Sequence, residues 1–274
     1  MFELCTNKSV QYLVLLIVMV IIGLIVFHYG IKDVTDSLVK STIESTFHKV
    51  DKATEKVVNG VYGTLPVKFE ANQGQADPQV KFIARGNSYR LFLKAYEAVL
   101  ELRNVDQEEE KAEMSTLRMQ WVGGSGTAAI EGMGELLVRD NYLVDDDPNR
   151  WQTNIPCFAR VRYWEIYPGI DMVYYGTEQQ LEYDFIVAPG ANPKVIRLRF
   201  EGAQKVELAS NGDLLVTTQN GNWSQRKPFI YQEVYGVKQT VEGRYVIKSE
   251  NEVGFELDDY DRSKQLVIDP IILE

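Results

Sequence analysis

The chain has 274 residues, of which 45% are hydrophobic, 25% charged and 11% aromatic, and its net charge is −10. This aromatic content is typical of a folded protein and excludes an intrinsically disordered one. The negative charge argues against a nucleic-acid-binding protein, which needs positive charge to displace counterions from phosphates. The charge is unevenly distributed, because residues 1–59 contain six Lys and six Asp or Glu, so that residues 60–274 carry the whole −10.

A long apolar segment, residues 10–31, comes after a short N-terminal tail, residues 1–9. The run from Tyr12 to Phe27 is apolar throughout. A helix over residues 10–31 would span roughly 33 Å, enough to cross a bilayer core of about 30 Å. A cleavable signal peptide would have a shorter apolar region ending in small residues, whereas this one ends in bulky side chains. The sequence therefore predicts a retained single-pass signal anchor that contacts the lipid bilayer.

The orientation of the anchor is predicted from the size of the C-terminal domain. The two flanks of the anchor differ little in positive charge, so the positive-inside bias is weak. An anchor ahead of a large domain usually leaves its N-terminus in the cytoplasm, which places residues 60–274 outside. Cys5 and Cys157 would then lie on opposite sides of the membrane and could not pair within one chain. Cys157 is expected to be a small buried residue, with a bridge between two chains as the alternative.

Residues 32–59 contain no Pro or Gly and are predicted to form a helical stalk. Four apolar residues have a heptad-like spacing: Ile43, Phe47, Val50 and Val57. Such a stripe would associate with a second copy of the chain or with another membrane subunit. Alternatively it packs onto the chain's own domain, and two heptads are too few to decide between these interpretations.

The pattern changes to a period of two in residues 60–274. Short runs rich in Val, Ile, Tyr and Phe are separated by turn residues every 8–12 positions, and Asn211-Gly212 is typical of a hairpin turn. Strict alternation from Ile196 to Phe200 indicates a strand with one buried and one solvated face. This pattern predicts an all-β fold, an antiparallel β-sandwich-like domain built as one large domain or two lobes. The charged residues 104–116 would be either a boundary between lobes or a long loop.

Four stretches of this region resemble one bacterial domain family. They are PVKFEANQGQADPQVKFIARG (66–86), NYLVDDDPNRWQTNIPCFARVRYWEIYPGIDMVYYG (141–176), LEYDFIVAPGANPKVIRLRFEG (181–202) and VIDP (267–270). The family is a domain of unknown function that precedes SBBP-type β-propeller repeats in secreted and cell-surface proteins. The resemblance implies an all-β extracytoplasmic domain in a bacterium, and it brings no catalytic residues. Together with the predicted anchor, it places the protein at the bacterial cytoplasmic membrane. Members typically continue past the VIDP motif into propeller repeats, which this sequence does not contain.

The position of the histidines limits the chemistry of the C-terminal domain. His28 and His48 are the only histidines, and both precede residue 60. This excludes catalysis by Ser-His-Asp or Cys-His groups in that domain, and also metal ions bound by histidine. The loop Gly123-Gly124-Ser125-Gly126 lacks the Lys and Ser or Thr of a phosphate-binding loop. The sequence therefore predicts no catalytic residues, no cofactor and no enzyme.

Carboxylates are the remaining candidates for catalysis or metal binding. A glycoside hydrolase needs only two acidic residues facing each other in a cleft, about 5–10 Å apart, and this hypothesis stays open as an alternative. Asp145, Asp146 and Asp147 cluster oxygen ligands of the kind that Ca²⁺ prefers. Asp before Pro-Asn is also ordinary turn and helix-cap chemistry. These three residues are therefore Ca²⁺ candidates, and no metal site is predicted.

Aromatic residues are concentrated in one stretch of the domain. If they are exposed, Trp151, Tyr163, Trp164 and Tyr167 could stack on sugars or anchor a protein interface. Alternation along strands would instead place them in the core. Tyr167 precedes a Pro-Gly turn and is predicted to be the exposed member of the group.

Three functional hypotheses arise from these observations. The first is a membrane-anchored envelope protein whose β domain is a structural or protein-interaction module, as an accessory subunit of a membrane assembly. Its partners would be other proteins, or a second copy of the chain through the stalk, and not nucleic acid. The second is a carbohydrate or cell-wall binding module that uses exposed aromatic residues. The third is a carboxylate-dependent glycoside hydrolase.

Overall fold

The computed structural model describes residues 67–86, 89–104, 113–144, 146–177, 180–219, 221–270 and 272–273. The chain divides into two compact units, Met1–Gly63 and Thr64–Glu274, and all the described residues belong to the second. The predicted anchor and the predicted stalk, with Ile43, Phe47, Val50 and Val57, lie outside the described residues. In the part that is described, no helix is long and apolar enough to cross a membrane.

The second unit is all-β and antiparallel, as the alternation of its sequence predicts. Its helical segments, within the described residues, are two 3₁₀ turns, Pro148–Arg150 and Pro193–Val195. The strands are β1 (Phe69–Ala71), β2 (Val80–Arg85), β3 (Tyr89–Lys94), β4 (Glu97–Asn104), β5 (Glu113–Trp121), β6 (Ile130–Tyr142), β7 (Gln152–Tyr167), β8 (Ile170–Thr177), β9 (Gln180–Val187), β10 (Arg197–Glu201), β11 (Lys205–Leu208), β12 (Leu214–Thr218), β13 (Gly221–Gln225), β14 (Phe229–Val234), β15 (Val237–Thr240), β16 (Gly243–Ser249), β17 (Glu252–Leu257), β18 (Leu266–Asp269) and β19 (Ile272–Leu273).

Most strands belong to one large sheet that curls round on itself. Its order is β15-β14-β18-β9-β8-β7-β1-β2-β3-β4-β5-β10-β17-β16, with β6 paired to β7 outside this path. The end strands β15 and β16 are consecutive in the chain and are separated by Val241 and Glu242 alone. Two residues span well under about 12 Å, so the two ends of the sheet must lie near each other. The result is a rolled, sandwich-like sheet.

The long strand β7 joins two halves of this sheet. One half contains β8, β9, β18, β14 and β15, and the other contains β1 to β5, β10, β17 and β16. Cys157 and Phe158 pair with β1, whereas residues 161–163 pair with β8. The opposite edge of β7 pairs with β6, from Gln152 to Tyr163. In this sheet order β6 has no strand on its outer side. The β6–β7 hairpin therefore lies off the main path of the sheet, at the strand where the two halves meet.

The core is formed by side chains from both halves of the sheet. Neighbouring aromatic rings lie 5.2–6.2 Å apart along the series Trp121, Tyr163, Tyr174, Tyr183, Phe185, Phe255 and Tyr245. These residues come from β5, β7, β8, β9, β17 and β16, and their burial supplies much of the hydrophobic free energy of folding.

A second sheet, ordered β11-β12-β13-β19, adds its apolar face to the same core. Leu214, Val216 and Trp223 are buried on that face. Gln225 is also fully buried, and its amide is satisfied because it donates to the Tyr183 hydroxyl at 2.9 Å and accepts from the Tyr245 hydroxyl at 3.3 Å. The small sheet is thus joined to the large one by apolar packing and by a buried polar contact.

The alternating pattern predicts most of the strands, but it misses β1, β6, β13, β15 and β19. In β6, Gly132 and Gly134 interrupt the alternation. This strand, which is second in length only to β7, therefore has no period-two signal. Of the charged segment 104–116, residue 104 belongs to β4 and residues 113–116 to β5, and these two strands pair directly, so the segment is not a boundary between lobes.

Candidate functional site

Tyr163, one of the candidate interaction aromatics, is a core residue. Its ring is fully buried and packs edge-on against Trp121 at 5.2 Å. Its hydroxyl donates to the carbonyl oxygen of Lys94 at 2.9 Å, which satisfies the polar end of the side chain. Tyr163 is therefore not part of a binding surface.

The prediction that Tyr167 is exposed is wrong, because a bulge in β7 reverses the alternation before it. The pairing of β7 with β8 shifts between Tyr163 and Tyr167, and Glu165 has a positive φ of 48° within this bulge. As a result Ile166 and Tyr167 both point inward. The Tyr167 hydroxyl donates to the Arg197 carbonyl at 3.0 Å and accepts from its backbone N–H at 3.2 Å, so the residue fastens the start of β10.

Trp151 and Trp164 are the two candidate aromatics that reach solvent, with exposed fractions of 37% and 38%. The Arg162 guanidinium lies 3.7 Å from the centre of the Trp164 ring, a cation–π contact that covers one of its faces. The indole N–H of Trp164 donates to Glu131 at 3.0 Å. One face of this tryptophan is therefore occupied by Arg162, which reduces the surface available for stacking on a sugar.

The Ca²⁺ candidates lie in the connection between β6 and β7. Asp145 lies outside the described residues, and Asp146 is exposed. Asp147 caps the turn Pro148–Arg150, where its carboxylate accepts from the backbone N–H of Asn149 at 3.0 Å. Within the described residues no group of three acidic, cysteine or histidine side chains is arranged to hold a metal ion.

A polar cluster, which we call the hairpin base, fastens the β6–β7 hairpin to the rest of the sheet. Lys68 makes an ion pair with Asp140 of β6, and the buried thiol of Cys157 donates to the other oxygen of Asp140 at 3.3 Å. Burial of Asp140 on its own would raise its pKa, but the hydrogen bonds from Lys68 and Cys157 lower it. Burial and the contact with Asp140 raise the pKa of the Cys157 thiol to about 11, which makes it a poor nucleophile.

The hairpin base continues through Glu70, Arg85 and Tyr142. The Tyr142 hydroxyl donates to the buried carboxylate of Glu70 and accepts from Arg85 at 2.8 Å. Arg85 also lies 3.4 Å from Glu70, and its guanidinium stands 5.4 Å from the centre of the Tyr142 ring. Burial raises the pKa of Glu70, although the Tyr142 hydrogen bond and the charge of Arg85 oppose the shift. The far end of β6 is thus held to β1, β2 and β7.

Residues 136–138 form a bulge in β6, which we call the apolar knob. They come just before Asp140 and Tyr142 of the hairpin base. Glu135 pairs with Phe158 and Arg139 with Pro156, so residues 136–138 stand opposite a single residue of β7. Leu137 is fully exposed, with a relative exposure of 104%, and Val138 is 46% exposed. A bulge of this kind re-aims side chains away from the sheet.

The apolar knob is held in shape by Arg139. Its guanidinium pairs with Glu135 at 2.6 Å and donates to the carbonyl oxygens of Leu136 at 2.6 Å and Val138 at 3.2 Å. These contacts tie Arg139 to the backbone on both sides of Leu137. The two exposed apolar side chains are therefore presented by a hydrogen-bonded scaffold.

Further exposed apolar side chains lie at the end of the same hairpin. Leu143 is 60% and Val144 is 53% exposed, and Trp151 stands where the chain enters β7. Together with Leu137 and Val138 they give one hairpin five large apolar side chains in contact with water. Single exposed apolar residues are ordinary, whereas interaction sites are typically contiguous apolar patches, so the concentration on one hairpin makes this surface a candidate.

A second polar cluster, which we call the acidic face, lies on the outer side of β8, β9 and β18. Ile268 pairs with Phe185, so the next residues of these antiparallel strands, Asp269 and Asp184, face one another. The Tyr175 hydroxyl donates to Asp184 at 3.0 Å. Burial, with the charge of Asp269, raises the pKa of Asp184 to about 7, and burial, with the charge of Glu182, raises that of Asp269 to about 6.

The comparison with family models assigns the domain. Residues 69–271, which are more than half of the chain, match the model of a domain of unknown function, DUF7948. The chain belongs to the DUF7948 family. No curated protein and no solved structure shows significant similarity to it.

A groove of about 390 Å³ on the DUF7948 domain contains the remaining carboxylates of interest. It is lined by Lys227, Glu242, Gly243, Arg244, Glu256, Leu257 and Asp258. Glu242 pairs with Lys227 at 3.3 Å, and Glu256 pairs with Arg244. Glu242 and Glu256 thus each pair with a cation, which differs from the two facing carboxylates that the hydrolase hypothesis requires.

Sequence reasoning did not single out the apolar knob of the DUF7948 domain. The one available signal is the run Leu136-Leu137-Val138 between Glu135 and Arg139, in a segment without alternation. Five residues of the hairpin base and three of the acidic face do lie in the stretches that carry the family resemblance: Lys68, Glu70, Arg85, Tyr142, Cys157, Tyr175, Asp184 and Asp269. Only the fold brings them together.

Proposed function

We propose that the DUF7948 domain of this chain is a protein-interaction module, held at the outer surface of a bacterial cytoplasmic membrane by the anchor predicted for residues 10–31. The observation that carries the proposal is the apolar knob, where Leu137 and Val138 are exposed on a scaffold fixed by Arg139. Rigid presentation lowers the entropy cost of binding, which is what an interaction surface requires.

The surroundings of the knob support an interaction role over a catalytic one. The titratable groups that flank the knob, Glu135 and Arg139, are paired with each other, and in the hairpin base beyond them Lys68 is paired with Asp140 and Arg85 with Glu70. The thiol of Cys157 is buried, and its raised pKa keeps it protonated. These groups fasten the hairpin, and none of them faces a cleft together with an activated nucleophile.

The membrane location is supported by the apolar run of residues 10–31 and by the resemblance to domains that precede SBBP-type propeller repeats in secreted and cell-surface proteins. The predicted stalk, residues 32–59, would separate the domain from the bilayer. A net charge of −10 on residues 60–274 is suited to a domain kept away from anionic lipid.

The proposal is tested by affinity capture of the full chain from native membranes in mild detergent, with mass spectrometry of the captured proteins. A double variant, Leu137→Asp with Leu143→Asp, charges the hairpin surface and should abolish capture of the bound proteins. The matched control is Tyr235→Asp with Val237→Asp, which charges two exposed apolar residues on the β14–β15 hairpin. The proposal is wrong if wild-type protein captures nothing, or if both variants capture the same proteins as wild type.

A further inference from the structure

The apolar knob has a sequence that is complementary to itself under a twofold rotation. Leu137 is at its centre, Leu136 and Val138 flank it, and Glu135 and Arg139 stand two residues away on either side. If two copies meet antiparallel about Leu137, residue 135 of each copy faces residue 139 of the other. The dimer then contains two Glu135–Arg139 pairs, one on each side of an apolar centre.

We propose that the partner of the apolar knob is the knob of a second copy of this chain, in a symmetric dimer with its twofold axis at Leu137. The inference rests on the proposed interaction role and names the occupant of that surface. Symmetric contacts of this kind require the same patch on both subunits to be self-complementary, and the charge order Glu-Leu-Leu-Val-Arg meets that requirement.

The geometry of β6 allows the approach. Its outer edge faces no other strand in the described sheet, and Leu137 is fully exposed at the bulge. The residues after the knob cannot swing away, because Asp140 is tied to Lys68 and Cys157 and Tyr142 to Glu70. The hairpin that presents the knob is therefore held in place on the sheet.

A contact of this size would be weak between two proteins free in solution. Stable interfaces bury at least about 1,000 Å², and Leu137, Val138, Leu143 and Val144 provide a small surface by comparison. Two chains anchored in one membrane have a high effective concentration, which compensates for a small interface.

The first experiment separates contacts between chains from contacts within one chain. Glu135→Arg gives a chain with two positive residues at the knob, and Arg139→Glu gives one with two negative residues. Both lose the ion pair within the chain, yet a mixed dimer of the two would contain two complementary pairs. We expect co-expressed chains with different tags to form mixed dimers about fivefold more often than like dimers.

The matched control for this charge experiment is the double variant Glu135→Arg with Arg139→Glu. It reverses the charges and restores both kinds of ion pair, although not the Arg139 hydrogen bonds to the Leu136 and Val138 carbonyls, so it should regain the like dimers that each single variant loses. Equal numbers of mixed and like dimers, or no dimer at all, would overturn the proposal. If dimers are absent while hairpin-dependent capture of another protein persists, the proposed function stands and only the identity of the partner is wrong.

The second experiment locates the axis. Leu137→Cys, in a Cys5→Ser background, should give a disulfide between two copies on mild oxidation in native membranes, because residues on a twofold axis come within the 4.4–6.8 Å Cα distance of a disulfide. Cys157 is buried and does not compete. Tyr235→Cys is the equally exposed control on another hairpin. A dimer band of equal intensity for both variants, or none for Leu137→Cys, contradicts a twofold axis at the knob.

Discussion

The hairpin base around Glu70 and the acidic face around Asp184 are both partly buried groups of carboxylates and tyrosines, but their charges are balanced differently. In the hairpin base each carboxylate has its own cation, Arg85 for Glu70 and Lys68 for Asp140. In the acidic face Asp184 and Asp269 face each other, and the neighbouring cation, Lys238, lies over the Tyr231 ring at 3.9 Å.

This difference separates a cluster whose carboxylates are offset by cations from one whose carboxylates face each other. In the hairpin base, Arg85 opposes the rise that burial causes in the pKa of Glu70, and Lys68 lowers the pKa of Asp140, so opposite charges hold β6 in place. Facing carboxylates repel each other, and the pKa of Asp184 rises to about 7 and that of Asp269 to about 6. The acidic face therefore makes the stability of the domain depend on pH, whereas the hairpin base positions the apolar knob.

The largest effect is expected from Glu70→Ala in the hairpin base. The substitution leaves the Tyr142 hydroxyl and Arg85 without their buried acceptor, and it opens a cavity beside β1. We expect the free energy of unfolding of the full chain to fall by about 2–4 kcal/mol, as measured by urea denaturation.

The control for this prediction is Glu256→Ala, which removes the partner of Arg244 from an ion pair that is exposed on both sides. Exposed pairs contribute little, so the loss should stay below about 1 kcal/mol. Similar losses for the two variants would show that burial of the hairpin base adds no stability.

The next effect is a stabilisation, from Asp184→Asn in the acidic face. An Asp whose pKa is raised by folding stabilises the native state fully below the pKa of the unfolded chain, about 3.8, and this contribution is lost as pH rises through the folded value of about 7. Asparagine does not titrate, so the variant should be more stable than wild type at pH 8, by about 1–3 kcal/mol.

Thermal unfolding of wild type and Asp184→Asn between pH 4 and pH 8 checks this prediction. The stability of wild type should fall with rising pH over this range, and the curve of the variant should be flatter. Asp259→Asn, at an exposed position of the β17–β18 connection, is the control and should behave as wild type does. Parallel curves for Asp184→Asn and wild type would contradict the facing arrangement of Asp184 and Asp269.

The sequence predicts the class of the fold because alternation is a local signal. In β10, Leu198 and Phe200 are buried between exposed arginines and a glutamate, as strict alternation indicates. The same rule fails at Tyr167, since the bulge at Glu165 shifts the next side chains by one face of the sheet. A bulge is determined by the pairing with a neighbouring strand, which no local pattern contains.

The two polar clusters could not be predicted because they depend on long-range pairing. Lys68 and Asp140 are 72 residues apart, and Asp184 meets Asp269 only when β18 adds to β9. The apolar knob is a local segment, but its exposure results from its register against Pro156 and Phe158. The residue types therefore show that the domain lacks a histidine catalyst, but they do not show where its polar clusters and exposed apolar residues lie.

The smallest effect is expected from Tyr175→Phe, which tests the acidic face without changing its charge. The hydroxyl donates to Asp184 and so favours the ionised carboxylate. Because that carboxylate is mostly ionised at pH 8 and protonated at pH 5, the loss of stability should be about 0.5–1.5 kcal/mol at pH 8 and smaller at pH 5. Urea denaturation at the two pH values measures the difference. A loss of equal size at both pH values would mean that Tyr175 contributes through packing alone. The contrast between the acidic face and the hairpin base would then depend only on how their carboxylates are paired, and not on the hydrogen bond from Tyr175.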